Sequence, residues 1–124
     1  MAAKANPVVW FEIPVNDLHR AKAFYEHVFG FEFRLDELGP WKMAFFPMED
    51  GVVGTGGALV QSEGYTPALT GTVVYFTVAD IEATLERVKA NGGEVLTPKM
   101  PIGEYGFIGH FRDTEGNRVA IHSM

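Results

Sequence analysis

The sequence predicts an α+β domain made of two tandem βαβββ modules, and a repeated pair of landmarks carries that prediction. Residues 15–18 (Val-Asn-Asp-Leu) and 78–81 (Val-Ala-Asp-Ile) each follow a β-patterned run and open a helical pattern. These two strings lie 63 residues apart, and so do Gly30 and Gly93, which are placed to end the two helices. Two kinds of signal at one constant offset indicate an internal duplication.

The duplication divides one domain, residues 1–124, into two similar parts. Module one covers about residues 8–62 and module two about 72–124. The segment between them, about residues 63–71, is polar and contains glycine and proline, so we interpret it as a linker. We expect the modules to form curved mixed sheets around a shared cleft.

Each element of module one has a local signal. Residues 8–15 are patterned as a strand, and Asn16 or Asp17 can cap the helix that follows. Apolar residues at i, i+3 and i+4 spacing give that helix one buried face, and Gly30 can end it. Three more strands are predicted, at residues 31–35, 41–46 and 56–61.

Module two repeats this order. A β-branched strand at residues 72–78 precedes a helix that Asp80 can cap. The apolar face of the helix contains Ile81, Leu85 and Val88, and residues 91–93 (Asn-Gly-Gly) stop it. The remaining elements are strands at 94–97, 106–112 and 118–123, a loop at 98–105 and a turn at 113–117.

Strand alternation sorts the side chains into two faces. One face of the first strand is uniformly apolar, with Phe11, Ile13 and Val15, and should pack under a helix. The other face mixes polar and apolar groups, as a cavity wall would. The predicted cavity face contains Trp10 and Glu12 in the first strand, Val73 and Tyr75 in the fifth, and Ala120 and His122 in the last.

Composition excludes several classes of partner. The net charge of −6 disfavours nucleic acid, whose phosphates need a basic surface. No apolar run approaches the roughly 20 residues of a membrane span, and the N-terminus lacks the apolar core of a secretion signal. We therefore expect a cytoplasmic protein. Open sheet faces and edge strands that need cover also predict a homodimer.

The ordered landmarks resemble those of the vicinal oxygen chelate superfamily, the group of glyoxalase I, bleomycin-resistance proteins and extradiol dioxygenases. The resemblance covers essentially the whole chain. It rests on Val15-Asn16-Asp17-Leu18, Phe24-Tyr25, Phe29-Gly30-Phe31, Asp80-Ile81, Asn91-Gly92-Gly93 and Asp113-Thr114-Glu115-Gly116-Asn117. In the last string Thr114 stands where the family has proline. The resemblance implies the fold, whereas the reaction varies across the superfamily.

Members that bind a divalent metal use His or Glu from the paired strands. The resemblance places three of those positions at Trp10, Val73 and Ala120, and a fourth near Ala58. None of these side chains can ligate a metal, since ligation needs imidazole, carboxylate or thiolate donors. We therefore expect no metal and no cofactor.

The candidate site residues follow from the cavity face. Glu12 and His122 could perform acid–base chemistry, or could be an ordinary polar pair. Trp10, Trp41, Tyr75 and Tyr105 supply aromatic surface for a ligand, and Val73 and Ala120 complete the wall. His110 lies opposite in register to Phe107, Gly109 and Phe111 in the seventh strand, and either face of that strand could line the cavity, so the role of His110 stays open.

Two functions compete at the level of sequence. The first is a metal-independent protein that binds a small planar or cationic molecule, with Glu12 supplying charge. The second is a glyoxalase-like lyase or isomerase in which Glu12 or His122 transfers a proton, with or without a shifted metal site. The sequence shows no cluster that would stabilise an oxyanion, which favours the binding protein.

Overall fold

The computed structural model describes residues 5–124 and contains two four-stranded mixed sheets, each with one helix. The strands of sheet one lie in the order β1-β4-β3-β2, with β1 parallel to β4 and the other pairs antiparallel. The elements of module one are β1 (Trp10–Pro14), α1 (Leu18–Phe29), β2 (Arg34–Leu38), β3 (Trp41–Phe45) and β4 (Gly56–Gln61).

Sheet two repeats this arrangement in the order β5-β8-β7-β6, with β5 parallel to β8. Its elements are β5 (Tyr75–Thr77), α2 (Ile81–Ala90), β6 (Glu94–Pro101), a short 3-10 helix (Gly103–Tyr105), β7 (Phe107–Arg112) and β8 (Arg118–Ser123). The predicted α+β class and the paired βαβββ modules are therefore confirmed. Strands β1 and β5 are shorter than the predicted runs at 8–15 and 72–78.

The helices begin where their aspartates predict. Asp17, rather than Asn16, caps α1, and its Oδ1 accepts a hydrogen bond from the Arg20 backbone N–H at 3.1 Å. Asp80 caps α2 in the same way, through the Ala83 N–H at 3.0 Å. Each bond satisfies a backbone donor that the first helical turn would leave unpaired.

The helices end differently, although their glycines share one offset. Gly30 is left-handed, with φ of 79°, and donates to the Glu26 carbonyl. At the end of α2 the left-handed residue is Gly92, with φ of 92°, and Gly93 donates to the Val88 carbonyl. Position 93 requires glycine because of its close packing rather than its backbone conformation, since a Cβ there would lie 2.7 Å from a backbone oxygen of β7.

The predicted strand at residues 31–35 was wrong in its bounds. The ladder begins at Arg34 and continues to Leu38, opposite Trp41. Phe31 and Phe33, which gave the segment its strand-like alternation, pack instead into the core, where Phe33 lies 4.7 Å from Phe46 between ring centroids. The alternation of Phe31 and Phe33 thus reflects burial of their side chains in the core, although neither residue pairs with another strand.

The strand predicted at residues 94–97 extends to Pro101, so the predicted loop at 98–105 was also wrong. Proline cannot donate to a ladder, and the sequence prediction ended the strand there. Strand β6 is an edge strand with register shifts between Val95 and Thr97 and between Thr97 and Met100. The second shift contains Pro98, and Pro101 is the last residue of the strand, so neither proline interrupts a regular ladder.

One apolar core joins the two modules. The predicted helix faces are buried in it, and Phe76 of β5, which is half-buried, packs against it. The Phe76 ring has five aromatic neighbours from module one at centroid distances between 5.1 and 6.2 Å: Phe11, Tyr25, Phe29, Phe31 and Phe46. Aromatic packing of this kind fixes how one module sits on the other.

A buried carboxylate also ties module two to the start of α1. The Glu115 side chain is fully buried and accepts backbone bonds from Asn16 and Asp17 at 2.9 and 2.8 Å. It also pairs with the Arg20 guanidinium at 2.7 Å. Burial alone would raise the pKa of Glu115, but the hydrogen bonds, that from Arg20 first, outweigh it and hold the pKa below its ordinary value.

The turn at residues 113–117 is organised by Asp113. Its Oδ1 accepts three backbone N–H groups, from Glu115, Gly116 and Asn117. Its Oδ2 accepts the hydroxyl of Tyr25 in α1 at 2.7 Å. Burial first, and then the adjacent Asp113 carboxylate, raise the pKa of Tyr25 well above its ordinary value. The family-like turn is thus a structural connection between the modules.

No helix in residues 5–124 is long and apolar enough to cross a membrane.

Candidate functional site

Each sheet has one face toward the helices and one face away from them, which we call the open face. In β1, Phe11 and Ile13 lie on the helix side and pack in the core. Trp10 and Glu12 therefore lie on the open face of sheet one, as the alternation predicts. Across the ladder, Glu12 is paired with Ala58.

A carboxylate with two neutral donors lies on the open face of sheet one. Tyr65 donates its hydroxyl to Glu12 Oε1 at 2.8 Å, and the Trp10 indole N–H donates to Oε2 at 3.3 Å. The Trp10 ring lies 5.9 Å from that of Phe45. We call Trp10, Glu12 and Tyr65 the Glu12 group. Within residues 5–124, Glu12 forms no ion pair.

Sequence analysis missed Tyr65, because it lies in the segment interpreted as a linker. The structure places its ring against a second apolar cluster of Met43, Ala58 and Val60, with Phe45 alongside. Ala58 and Val60 are fully buried although they belong to the open face. The hydrogen bond to Glu12, followed by desolvation and the charge of Glu12, raises the pKa of Tyr65. The one available signal was an aromatic residue isolated in a polar segment.

The structure resolves the position of His110. Its strand neighbour Gly109 packs under Ile81 of α2, so His110 points to the open face of sheet two. There the His110 Nε2 lies 3.0 Å from the Tyr75 hydroxyl, and Nδ1 lies 3.2 Å from a terminal nitrogen of Arg118. We call Tyr75, His110 and Arg118 the Tyr75 group. Desolvation first, and then the Arg118 charge, lower the pKa of His110.

The two predicted acid–base residues belong to different sheets. Glu12 contacts Trp10 and Tyr65, whereas the Nε2 of His122 contacts the backbone carbonyl of Tyr105. A carbonyl only accepts, so that nitrogen of His122 carries a proton. In the described part of the chain, no hydrogen bond joins Glu12 to His122.

The other predicted wall residues are dispersed. Trp41 is 43% exposed at the hairpin end of β3, and the Tyr105 side chain is 68% exposed beside β7. Val73 precedes β5 and is half-buried. Ala120 is fully buried, since it pairs with Tyr75 on one side and His110 on the other.

One cavity touches both groups. It measures about 190 Å³ and lies between the modules, with Glu12 and Pro14 on one side and Val74 and Arg118 on the other. That volume is below the roughly 300–1,000 Å³ of most small-molecule sites, so a larger ligand would extend onto the open faces. A larger cavity of about 560 Å³ lies between the start of α1 and the β2–β3 hairpin, and contains no residue of either group.

The positions at which the resemblance expects metal ligands carry an indole, an isopropyl group and two methyl groups. They are Trp10, Val73, Ala58 and Ala120. Such side chains offer no donor to a divalent ion, so the donor set does not fit the family metal. Among residues 5–124, no group of three or more His, Asp and Glu side chains is arranged to hold a metal ion.

Two βαβββ modules on one core, each with a polar group on its open face, define a two-module protein of the glyoxalase type. A family model described as "Glyoxalase/Bleomycin resistance protein/Dioxygenase superfamily" matches residues 8–121. The chain belongs to this superfamily.

Curated relatives agree with that assignment. A glyoxylase-like domain-containing protein of Didymella fabae is 33% identical over 114 residues, which cover 89% of this chain and 88% of the relative. Putative glyoxylase CFP32 of Mycobacterium bovis is 26% identical over 125 residues, which cover 90% of this chain and 43% of CFP32. This chain therefore spans less than half the length of the mycobacterial relative.

Solved structures show the same fold at low identity. A glyoxylase/bleomycin resistance protein/dioxygenase domain from Frankia superposes with a TM-score of 0.74 at 18% identity, covering 96% of this chain and 98% of that one. Glyoxalase I from Zea mays gives a TM-score of 0.69 at 21% identity, covering 94% of this chain and 46% of that one. The fosfomycin resistance protein FosX of Listeria monocytogenes gives 0.68 at 19%, covering 98% and 93%.

Proposed function

We propose that this protein binds a small planar or cationic molecule at the Glu12 group, without the family metal. The proposal rests on the hydrogen bonding of Glu12. Each of its carboxylate oxygens accepts a hydrogen bond from an uncharged donor, and Glu12 has no cationic partner among the described residues. Its negative charge is thus positioned but not neutralised. A ligand cation can supply the missing charge, and the partly exposed Trp10 ring offers it an aromatic face, whereas the Phe45 ring already has the Arg34 guanidinium 4.7 Å from its centroid.

Tyr65 contributes to this proposal by fixing the carboxylate. Its ring is anchored on Met43, Ala58 and Val60, so its hydroxyl holds Glu12 from a packed position. A carboxylate oriented in advance loses little side-chain entropy when a ligand binds. The net charge of −6 adds a long-range attraction for cations.

We also propose that two copies of the chain complete the site. The cavity between the modules is small for a ligand of drug size, and the open faces leave Trp10 and Tyr75 partly exposed. A second copy over these faces would enclose a ligand and bury the aromatic surface. Sedimentation at micromolar concentration should give a dimer, and a monomer under those conditions would refute this part.

The test of the binding site compares two probes of similar shape and different charge. N-methylquinolinium is a planar cation, and quinoline at pH 8 is neutral. Titration calorimetry should detect the cation, with affinity reduced by up to about fivefold in Glu12→Gln, because the carboxylate is exposed and an exposed charge pair is worth at most about 1 kcal/mol. Glu94→Gln removes one charge from exposed β6 and is the matched control.

Two results would refute the proposal. One is equal binding of quinoline and the cation. The other is equal weakening by Glu12→Gln and Glu94→Gln, which would assign the effect to net charge alone. Probes that bind should also be incubated with the protein and checked for chemical conversion. The alternative, proton transfer by Glu12 or His122, stays a prediction and would require such conversion.

A further inference from the structure

We infer that Arg118, acting through His110, fixes the Tyr75 hydroxyl as a hydrogen-bond donor to an oxygen atom of a ligand. The inference goes beyond the proposed function, because it concerns sheet two and the opposite kind of ligand group. It rests on two distances: 3.2 Å from the Arg118 guanidinium to His110 Nδ1, and 3.0 Å from His110 Nε2 to the Tyr75 hydroxyl.

Arg118 determines which atom donates and which accepts in both hydrogen bonds. A guanidinium has five N–H donors and no acceptor, so His110 Nδ1 has to accept and cannot carry a proton. The single ring proton of the neutral imidazole is then on Nε2. Desolvation and the neighbouring guanidinium both disfavour a second proton, and they lower the pKa of His110 accordingly.

The proton on Nε2 determines what Tyr75 can do. His110 donates to the Tyr75 oxygen, so the hydroxyl hydrogen of Tyr75 is not used in this bond. Tyr75 is 49% exposed on the open face, where that hydrogen is available to solvent or ligand. The complementary ligand group is an acceptor oxygen, such as a carbonyl, carboxylate or enolate oxygen.

The reverse order of bonds would have the opposite effect. If His110 carried its proton on Nδ1, its Nε2 would accept the Tyr75 hydroxyl hydrogen, and Tyr75 would lose its outward donor. Arg118 prevents this order, since Nδ1–H and a guanidinium N–H would then face each other. Arg118 is thus a positioning residue that need not touch the ligand.

The guanidinium is itself held in place. Its Nε donates to the Leu69 carbonyl at 3.2 Å, and the Arg118 backbone N–H donates to the Ala68 carbonyl at 3.1 Å. These bonds to the linker orient the side chain toward β7 and His110. The order of hydrogen bonds is therefore built into the fold before any ligand arrives.

The first measurement reads the proton directly. Long-range ¹H–¹⁵N spectra of the histidine rings at pH 7, with the His110 signals assigned through His110→Gln, should show a protonated Nε2 and a bare Nδ1. Arg118→Met removes the donor and should give a mixed or reversed tautomer. Arg118→Lys keeps a donor-only group and should retain the native tautomer. A protonated Nδ1 in the unmodified protein would overturn the inference.

The second measurement uses sodium formate, the smallest carboxylate, with sodium chloride as the ionic-strength control. In the unmodified protein, the NMR signals of the Tyr75 ring should shift with added formate until binding is saturated. In Tyr75→Phe, where the His110 signals serve as the readout, no saturable shift should appear. Arg118→Met should weaken the formate affinity by roughly tenfold, about one hydrogen bond. Arg112→Met, which removes the same charge from the residue paired with Arg118, should weaken it less.

These comparisons separate positioning from direct contact. Loss of formate binding in Arg118→Lys, with the tautomer unchanged, would mean that the guanidinium contacts the anion itself and would overturn the inference. Equal losses in Arg118→Met and Arg112→Met would do the same by assigning the effect to charge. Neither result bears on the cation titration at Glu12, so the two proposals can fail separately.

Discussion

Tyr75 and His110 meet directly above Ala120. The two residues come from β5 and β7, which lie on either side of β8, and their hydrogen bond spans the alanine between them. Their rings are perpendicular, with centroids 5.5 Å apart. Ala120 is fully buried under this bridge. The small residue at a position where the family resemblance expects a ligand is what lets the bridge close.

Enlarging that residue should therefore break the bridge. We expect Ala120→Leu to reduce the free energy of unfolding by about 1–3 kcal/mol, the usual cost of overpacking a buried site. The same change made in a Tyr75→Ala, His110→Ala background should cost less, because the rings that it displaces are gone. Urea unfolding of the four proteins gives the coupling. Additive effects would contradict a direct contact.

Acid should weaken the connection between the modules through Glu115. Its pKa in the folded state lies below the ordinary value of 4.5, so its contribution to stability is complete above that value. The contribution is lost as the pH falls through the folded pKa. Glu115→Gln should cost about 1–3 kcal/mol at pH 7 and flatten the decline of the unfolding free energy below pH 4.5. Glu94→Gln, on an exposed edge strand, should leave that decline unchanged.

Two tyrosine–carboxylate bonds provide a matched comparison of burial. Tyr25 donates to Asp113 inside the core, whereas Tyr65 donates to the exposed Glu12. Tyr25→Phe should reduce the free energy of unfolding by about 1–3 kcal/mol, since it leaves a buried carboxylate short of a donor. Tyr65→Phe should change it by less than about 0.5 kcal/mol. Equal effects would contradict the difference in burial.

The two glycines after α2 should respond differently to alanine. In Gly93→Ala the new methyl group would meet the Arg112 carbonyl oxygen and Val88 Cγ1, each at 2.7 Å, so the strand has to shift. We expect a loss of about 1–3 kcal/mol. In Gly92→Ala the methyl group would meet Thr114 Cγ2 at 3.5 Å, an ordinary van der Waals contact, so the cost is that of the left-handed backbone, about 1 kcal/mol. Thermal and urea unfolding would show whether this order holds.

Local signals predicted the parts of this fold that local chemistry determines. The aspartate caps, the apolar helix faces and the strand alternation depend on residues a few positions apart, and the structure confirms them. The strand at 31–35 failed because Phe31 and Phe33 alternate for reasons of core packing. The strand at 94–97 ended too early because tolerance of proline depends on being at an edge, which is a property of the whole sheet.

The candidate site likewise contains residues that local patterns predict and residues whose contacts depend on the tertiary structure. Alternation along β1 placed Trp10 and Glu12 on one face without any tertiary information. Tyr65 could not be found in this way, since its contact with Glu12 depends on the path of a segment without periodicity. The bond from Arg118 to His110 joins two strands whose register is set by the turn at 113–117, so no spacing in the sequence indicates it.

The linker contacts both the Glu12 group and the Tyr75 group, which has a consequence for ligand binding at each. At one end Tyr65 holds Glu12, and at the other the carbonyls of Ala68 and Leu69 hold Arg118. A ligand that binds Glu12 beside Tyr65 would therefore act on the same short segment that holds Arg118, the residue that sets the His110 tautomer. We expect occupancy of one end to alter affinity at the other, and thermodynamic reciprocity requires the effect to be equal in both directions. The linker would then act as the coupling element of the protein.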